Sequence, residues 1–162
     1  MAQATSLSPP FLATTAGIIG SAWASGTIAS FTLFGVPIAQ AFPQSSEQIW
    51  FALFNKGKST MPYVAGAASL SYLYAAWDAR SQNKDWVGYS VAAGLVVSIV
   101  PFTAIVMGST IRPLSGAALG STTLSAPQVA ELIGTWGTQN IFRSLLPPAG
   151  AVVGFQTFLG NR

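Results

Sequence analysis

An all-α fold, a four-helix transmembrane bundle in up-down-up-down order, is what this sequence predicts, and three observations predict it. Only 7% of the 162 residues are charged and 51% are hydrophobic, with a mean hydropathy of +0.50; an average soluble domain has roughly 25% charged residues. The first charged side chain is Glu47, and further uncharged stretches run from Ser59 to Trp77, Trp86 to Ile111 and Ser144 to Asn161. A spanning helix needs about 20 mainly apolar residues. These stretches therefore give four spans, near 12–40, 61–78, 87–108 and 141–159, in a single integral membrane domain, 1–162.

The first span carries Gly17, Ser21 and Ser25 at four-residue spacing, with Ala22, Gly26 and Ser30 on the next ridge. Small residues at that spacing let helix backbones approach closely in lipid, where packing drives association. No Lys or Arg precedes this segment and it is long enough to cross, so it reads as a span and not as a signal peptide. Pro37 and Pro43 are expected to end it. Between them and Pro62, the segment Gln48 to Phe54, with Trp50, Phe51, Leu53 and Phe54, reads as a short interfacial helix or lid, followed by Lys56 and Lys58 at the water boundary. The second span holds Tyr63, Tyr72, Tyr74 and Trp77 and closes with Asp78 and Arg80; Tyr63 and Trp77 lie near its ends, where aromatic belts sit.

Pro101 interrupts the third span, because it cannot donate to the carbonyl of Val97. Ser98 and Thr103 are candidates to satisfy such a group. Met107 to Leu114, with Thr110, Arg112 and Pro113, reads as a polar exit, and Ser115 to Leu124, built of Gly, Ala, Ser and Thr, as a mobile or irregular loop. Ser125, Ala126, Pro127 and Gln128 then form a capping-box signature. From there one helix of about 34 residues, roughly 50 Å long, runs into the last span, so its first third stands outside the roughly 30 Å hydrocarbon core. Gly134 and Gly137 weaken it, and Pro147 with Pro148 are expected to kink it one turn after Arg143.

Short connections and alternating direction gather Trp50, Phe54, Lys58, Tyr63, Pro101, Thr103, Thr110, Arg112, Trp136, Asn140 and Arg143 at one membrane face. Asp78, Arg80, Lys84, Asp85 and both termini fall at the other. Trp136, Asn140 and Arg143, at i, i+4 and i+7, share one side of one helix. An arginine opening an apolar span asks for a polar partner or an anionic guest. Seven scattered basic residues exclude nucleic acid as a partner. The absence of cysteine removes disulfides and thiolate chemistry. The absence of histidine, with only Glu47, Asp78, Asp85 and Glu131 as carboxylates, leaves no ordinary metal site and no Ser-His nucleophile, so chemistry without a metal is expected.

The spacing Trp136, Asn140, Arg143 followed by Ser144, Leu145 and Leu146, together with Pro101, Phe102, Thr103 through Met107 and Thr110 to Leu114, resembles the fungal anthrone oxygenases. These are small four-helix membrane proteins of anthraquinone and related polyketide pathways. The glycine-rich first span and Trp50 to Pro62 are similar to the same family; Ile111 departs from it, standing where asparagine often follows the threonine. The resemblance implies oxidation of an anthrone at the methylene opposite its ketone, with dioxygen as co-substrate and no cofactor, by a multi-pass protein of an intracellular membrane. Arg143 would stabilise the anthrone anion, because guanidinium donors gain strength at low dielectric, or would mark the membrane interface and bind lipid phosphate. Asn140 would hold a quinone or phenol oxygen or tie Arg143 in place, and Trp136 would stack on the flat substrate or sit in the aromatic belt. Arg112 would be a second oxyanion contact or an ordinary loop cation, and Thr103, Thr110, Tyr63 and Trp50 would complete the expected substrate site. The base stays open among Tyr63, Glu131, hydroxide and none. The expected partners are a planar aromatic polyketide and the bilayer, with a homo-oligomer or association with polyketide enzymes open; a non-catalytic scaffold and a metabolite carrier are the competing readings.

Overall fold

The structure is a computed structural model that describes residues 8–162, so the expected placement of the N-terminus itself lies outside the described residues. Every regular element among those residues is helical, as an all-α reading requires. The helices are α1 (Pro9–Ala41), α2 (Ser46–Ser81), α3 (Val87–Ile105), α4 (Gly108–Ala118), α5 (Ala126–Ser144) and α6 (Leu146–Gly160). Two of them, α1 and α3, are long and apolar enough to cross a membrane.

Helices α1, α2, α3 and α6 close a ring in which each packs on the next. Gly17 faces Tyr72 while Gly35 faces Leu53, so α1 and α2 run antiparallel. Gly88 meets Thr157 while Gly150 meets Ala92, so α3 and α6 do as well. The middle of this ring is made of small residues: Ala24, Ala65, Ala68, Ala75, Ala92 and Ala93 are buried. Larger side chains, Ile28, Tyr89, Val96 and Ile99, are buried among them, and Tyr72 is fully buried against Gly17 and Gly154. Large apolar side chains point the other way, with Trp23, Phe34, Leu70, Trp77, Ile105 and Phe155 exposed.

At one end of the ring the first turns of α2, with α4 and α5, form a cap. Its core is Trp50, Met107, Leu114, Val129, Ile133 and Trp136. Trp50 stacks on Phe54, centroids 5.3 Å apart, and meets Trp136 edge-on at 5.8 Å.

Several expected boundaries move, and the prolines explain most of them. Pro37 does not end α1; a π-helical stretch, Phe31–Gly35, leads into one more turn, Val36–Ala41. Gln48 to Phe54 is not a separate interfacial helix or lid but the opening of the 36-residue α2, which carries Pro62 inside it. Met107 to Leu114 is no open exit, because α4 continues through Pro113 to Ala118, and the expected loop from Ser115 shrinks to the residues between α4 and α5. In α3 the regular pattern breaks at Ser98, but Ser98 and Thr103 bond the carbonyls of Leu95 and Ile99, not that of Val97. The capping box at Ser125 and Gln128 is present. Gly137 does not weaken α5 visibly; a Cβ there would lie 3.1 Å from Val36 Cγ2, so the glycine is what lets α1 approach. The last long helix is broken at Leu145, between α5 and α6. Pro148 removes the donor that would serve the Ser144 carbonyl, and Ser25 Oγ donates to it instead at 2.9 Å.

Candidate active site

The cap and the ring do not fill the space between them. A cavity of about 390 Å³ remains there, walled by Phe31 of the π-helical stretch, by Leu53, Phe54, Gly57, Lys58, Met61 and Pro62 of α2, by Ile99, Val100, Thr103 and Ala104 of α3, by Gly108, Ile111 and Arg112 of α4, and by Trp136 and Arg143 of α5. Gly57 keeps it open beside α1, since a Cβ there would lie 3.0 Å from the Phe31 ring. Its volume lies within the roughly 300–1,000 Å³ typical of small-molecule sites.

Arg143 sits in the last turn of α5 and is 8% exposed. Its Nη1 donates to Thr103 Oγ1 at 2.6 Å, and that hydroxyl in turn donates to the Ile99 carbonyl at 2.7 Å. Thr103 thus holds the guanidinium by its only free lone pairs. Arg143 Nε is buried without a partner among the described residues, which leaves the guanidinium with an unused donor beside the cavity. The cavity lining contains three cations, Lys58, Arg112 and Arg143, and no carboxylate. Arg143 is buried, while Lys58 and Arg112 are exposed at the cavity mouth.

Of the residues singled out from sequence, Arg143, Trp136, Thr103 and Arg112 line this cavity. Trp136 is buried, its ring against the cap and not in a membrane belt. Asn140 is not in the lining: its amide donates to the Ile28 carbonyl at 2.7 Å and to Thr32 Oγ1 at 3.0 Å, so it binds α5 to α1 and makes no hydrogen bond to Arg143. Thr110 is also outside the lining; it is buried and donates to Gln139 Oε1 at 3.1 Å. Trp50 lies one layer behind the wall, under Phe54. Tyr63 is 79% exposed and faces away, because its helical phase differs from that of Met61 and Lys58. Neither Tyr63 nor Glu131, the two side chains considered as base, belongs to the lining. Sequence reasoning gathered Lys58 with the site residues at one end of the bundle without assigning it to the site. The signal was there, since Phe54, Lys58 and Met61 stand at i, i+4 and i+7 once α2 is read as one helix. Among the described residues no group of three His, Cys, Asp or Glu side chains could hold a metal ion.

Comparison with known proteins finds relatives that cover most of the chain. The noranthrone monooxygenase of Aspergillus flavus is 28% identical over 144 residues, covering 85% of this chain and 69% of that protein. An anthrone oxygenase of Paecilomyces divaricatus is 30% identical over 150 residues, 86% of this chain and 90% of its own, and one of Aspergillus terreus is 31% identical over 139 residues, 84% and 92%. No solved structure matches. The profile of the anthrone oxygenase family matches residues 50–153, from the aromatic opening of α2 through the arginine of α5 and into α6, and the chain belongs to that family.

Proposed function

We propose that this protein oxidises a polyketide anthrone to its anthraquinone at a membrane, with dioxygen and without a metal, by binding the anthrone anion on Arg143. The observation that carries the reading is a buried arginine with no carboxylate beside it in the lining of a mainly apolar cavity. Relatives named anthrone oxygenases support the reaction class. The absence of histidine and cysteine supports a reaction that leans on the substrate's own reactivity.

An anthrone is a carbon acid. Loss of a methylene proton gives an anion whose charge spreads through the rings to the oxygen, and hydrogen bonding from Arg143 would favour it. That electron-rich carbon reduces dioxygen and forms a C–O bond to it; loss of water from the resulting hydroperoxide leaves the new ketone. One oxygen atom ends in the quinone and the other in water, and the two C–H bonds supply all four electrons. The protein's part is to favour the anion and to hold it in a dry pocket beside oxygen. Neither Tyr63 nor Glu131 reaches the cavity, so the proton goes to hydroxide or solvent at the mouth.

The membrane setting is supported by the inverted surface, with alanine and glycine inside and Trp23, Phe34, Leu70, Trp77 and Phe155 outside. We read α1, the later part of α2, α3 and α6 as four spans, the cap standing in the interface.

The test is turnover in lipid. Purified protein supplied with an anthrone is expected to form quinone under oxygen, not under argon, above the autoxidation background and undiminished by a chelator. Arg143→Ala is expected to lower the rate at least about tenfold, loosely the effect of one lost oxyanion donor. Chelator-sensitive turnover would overturn the metal-free reading, and full activity of Arg143→Ala at matched expression would remove the role of Arg143.

A further inference from the structure

We propose that Lys58 and Arg112 form a second anion site at the cavity mouth, so that the preferred substrate carries an acidic substituent, a ring carboxylate, in addition to the oxygen that Arg143 receives. This rests on reading the cavity as the anthrone pocket and narrows its substrate class. The enolate oxygen carries one negative charge, but three cations from three different helices converge on the lining with no carboxylate among them. One guest charge balances one of them. Arg143 is buried and already oriented by Thr103. Lys58 and Arg112 instead are exposed, at the rim of walls made of Leu53, Phe54, Met61 and Ile99. The pocket is therefore amphipathic: an apolar body with one sealed donor, and a wet, doubly cationic mouth. Its complement is a planar apolar ring system with one oxyanion inside and one carboxylate left partly hydrated at the rim. Headgroup phosphates offer the same chemistry to these two side chains, and the experiment separates the two sources.

Binding to the quinone product frame needs no turnover, so the test uses an anthraquinone carboxylate and the matching anthraquinone carboxamide, titrated by quenching of tryptophan fluorescence. Protein is held in nanodiscs of phosphatidylcholine, with and without phosphatidylserine. The wild type is expected to prefer the carboxylate about fivefold, the scale of one exposed ion pair, and to lose that preference as salt rises. In the Lys58→Gln, Arg112→Gln double variant the ratio is expected to fall to about one. No preference in either membrane, as when the cations serve lipid phosphate, overturns the proposal; so does a preference that survives the double variant or is insensitive to salt. The salt series on the wild type alone keeps the test valid if the variant misfolds. Wild type that binds the carboxylate selectively yet oxidises no anthrone would leave this site standing and remove the oxygenase reading instead.

Discussion

Arg143 depends on Thr103 for its direction. A guanidinium has five donors and no acceptor, and here Nη1 is anchored at 2.6 Å to a hydroxyl that spends its own proton on Ile99. Thr103→Val keeps the shape and removes the acceptor. We expect kcat to fall by about tenfold, in line with a hydrogen bond to a charged group being worth roughly 1.5–3 kcal/mol, while KM changes little and Thr103→Ser retains most activity. Equal kcat for Thr103→Val and wild type would show that the anchor has no catalytic consequence. At this scale the sequence was partly legible. The spacing of Trp136 and Arg143 and the direction of the spans brought Thr103 and Arg112 to the same place, because helical phase and chain reversal are readable from pattern. Asn140 misled for a physical reason: it shares a helix face with Arg143, but it meets α1 one turn away, where Gly137 allows close approach. Tyr63 misled because an aromatic near a span end says nothing about which way it turns.

At the scale of elements, proline was the unreliable sign. Pro37, Pro62 and Pro113 lie inside helices; each frees one carbonyl, and packed helices can satisfy it from neighbours, as Ser25 does for the residue preceding Leu145. Pattern alone cannot reveal such a distant donor, which is why α2 and α4 read as interrupted. The small-residue ridge of α1 was a sounder sign, and its use is specific. Tyr72 is clasped between Gly17 and Gly154, and a Cβ at position 17 would lie 2.9 Å from the ring with no room on the far side. Gly17→Ala is expected to destabilise the bundle by roughly 1–3 kcal/mol, as overpacking does, and to lower Tm in detergent. Gly26→Ala, where nothing lies within 4 Å of the added carbon, is expected to leave Tm unchanged. The two variants share a helix and a chemistry, so a matching fall in both would point to helix 1 itself and not to the Tyr72 clasp.

For the whole molecule, the question is how a chain with so apolar an exterior is placed in its medium. Helix α2 has 36 residues, about 54 Å at 1.5 Å per residue, against a hydrocarbon core of roughly 30 Å. If α2 is a span, as proposed, some 16 residues stand clear of the core, about the stretch from Ser46 to Met61 that belongs to the cap and the cavity wall. On the proposed membrane reading, that would set the cavity at the edge of the hydrocarbon, where an apolar substrate partitioned into lipid would reach Arg143 while the proposed acidic end met water at Lys58 and Arg112. The chain has no cysteine, so single cysteines report depth without a background. Leu70, 67% exposed on the later part of α2, and Gln48, exposed on its opening turns, are both open to the surroundings in the folded chain. In nanodiscs, which present both membrane faces, Gln48→Cys is expected to react with a water-soluble maleimide and Leu70→Cys to resist it until detergent is added. Equal labelling of the two in lipid would place the ring of small-residue helices in water, and the exposed Trp23, Phe34, Leu70 and Phe155 would then have to be covered by protein, a second copy of the chain being the simplest cover.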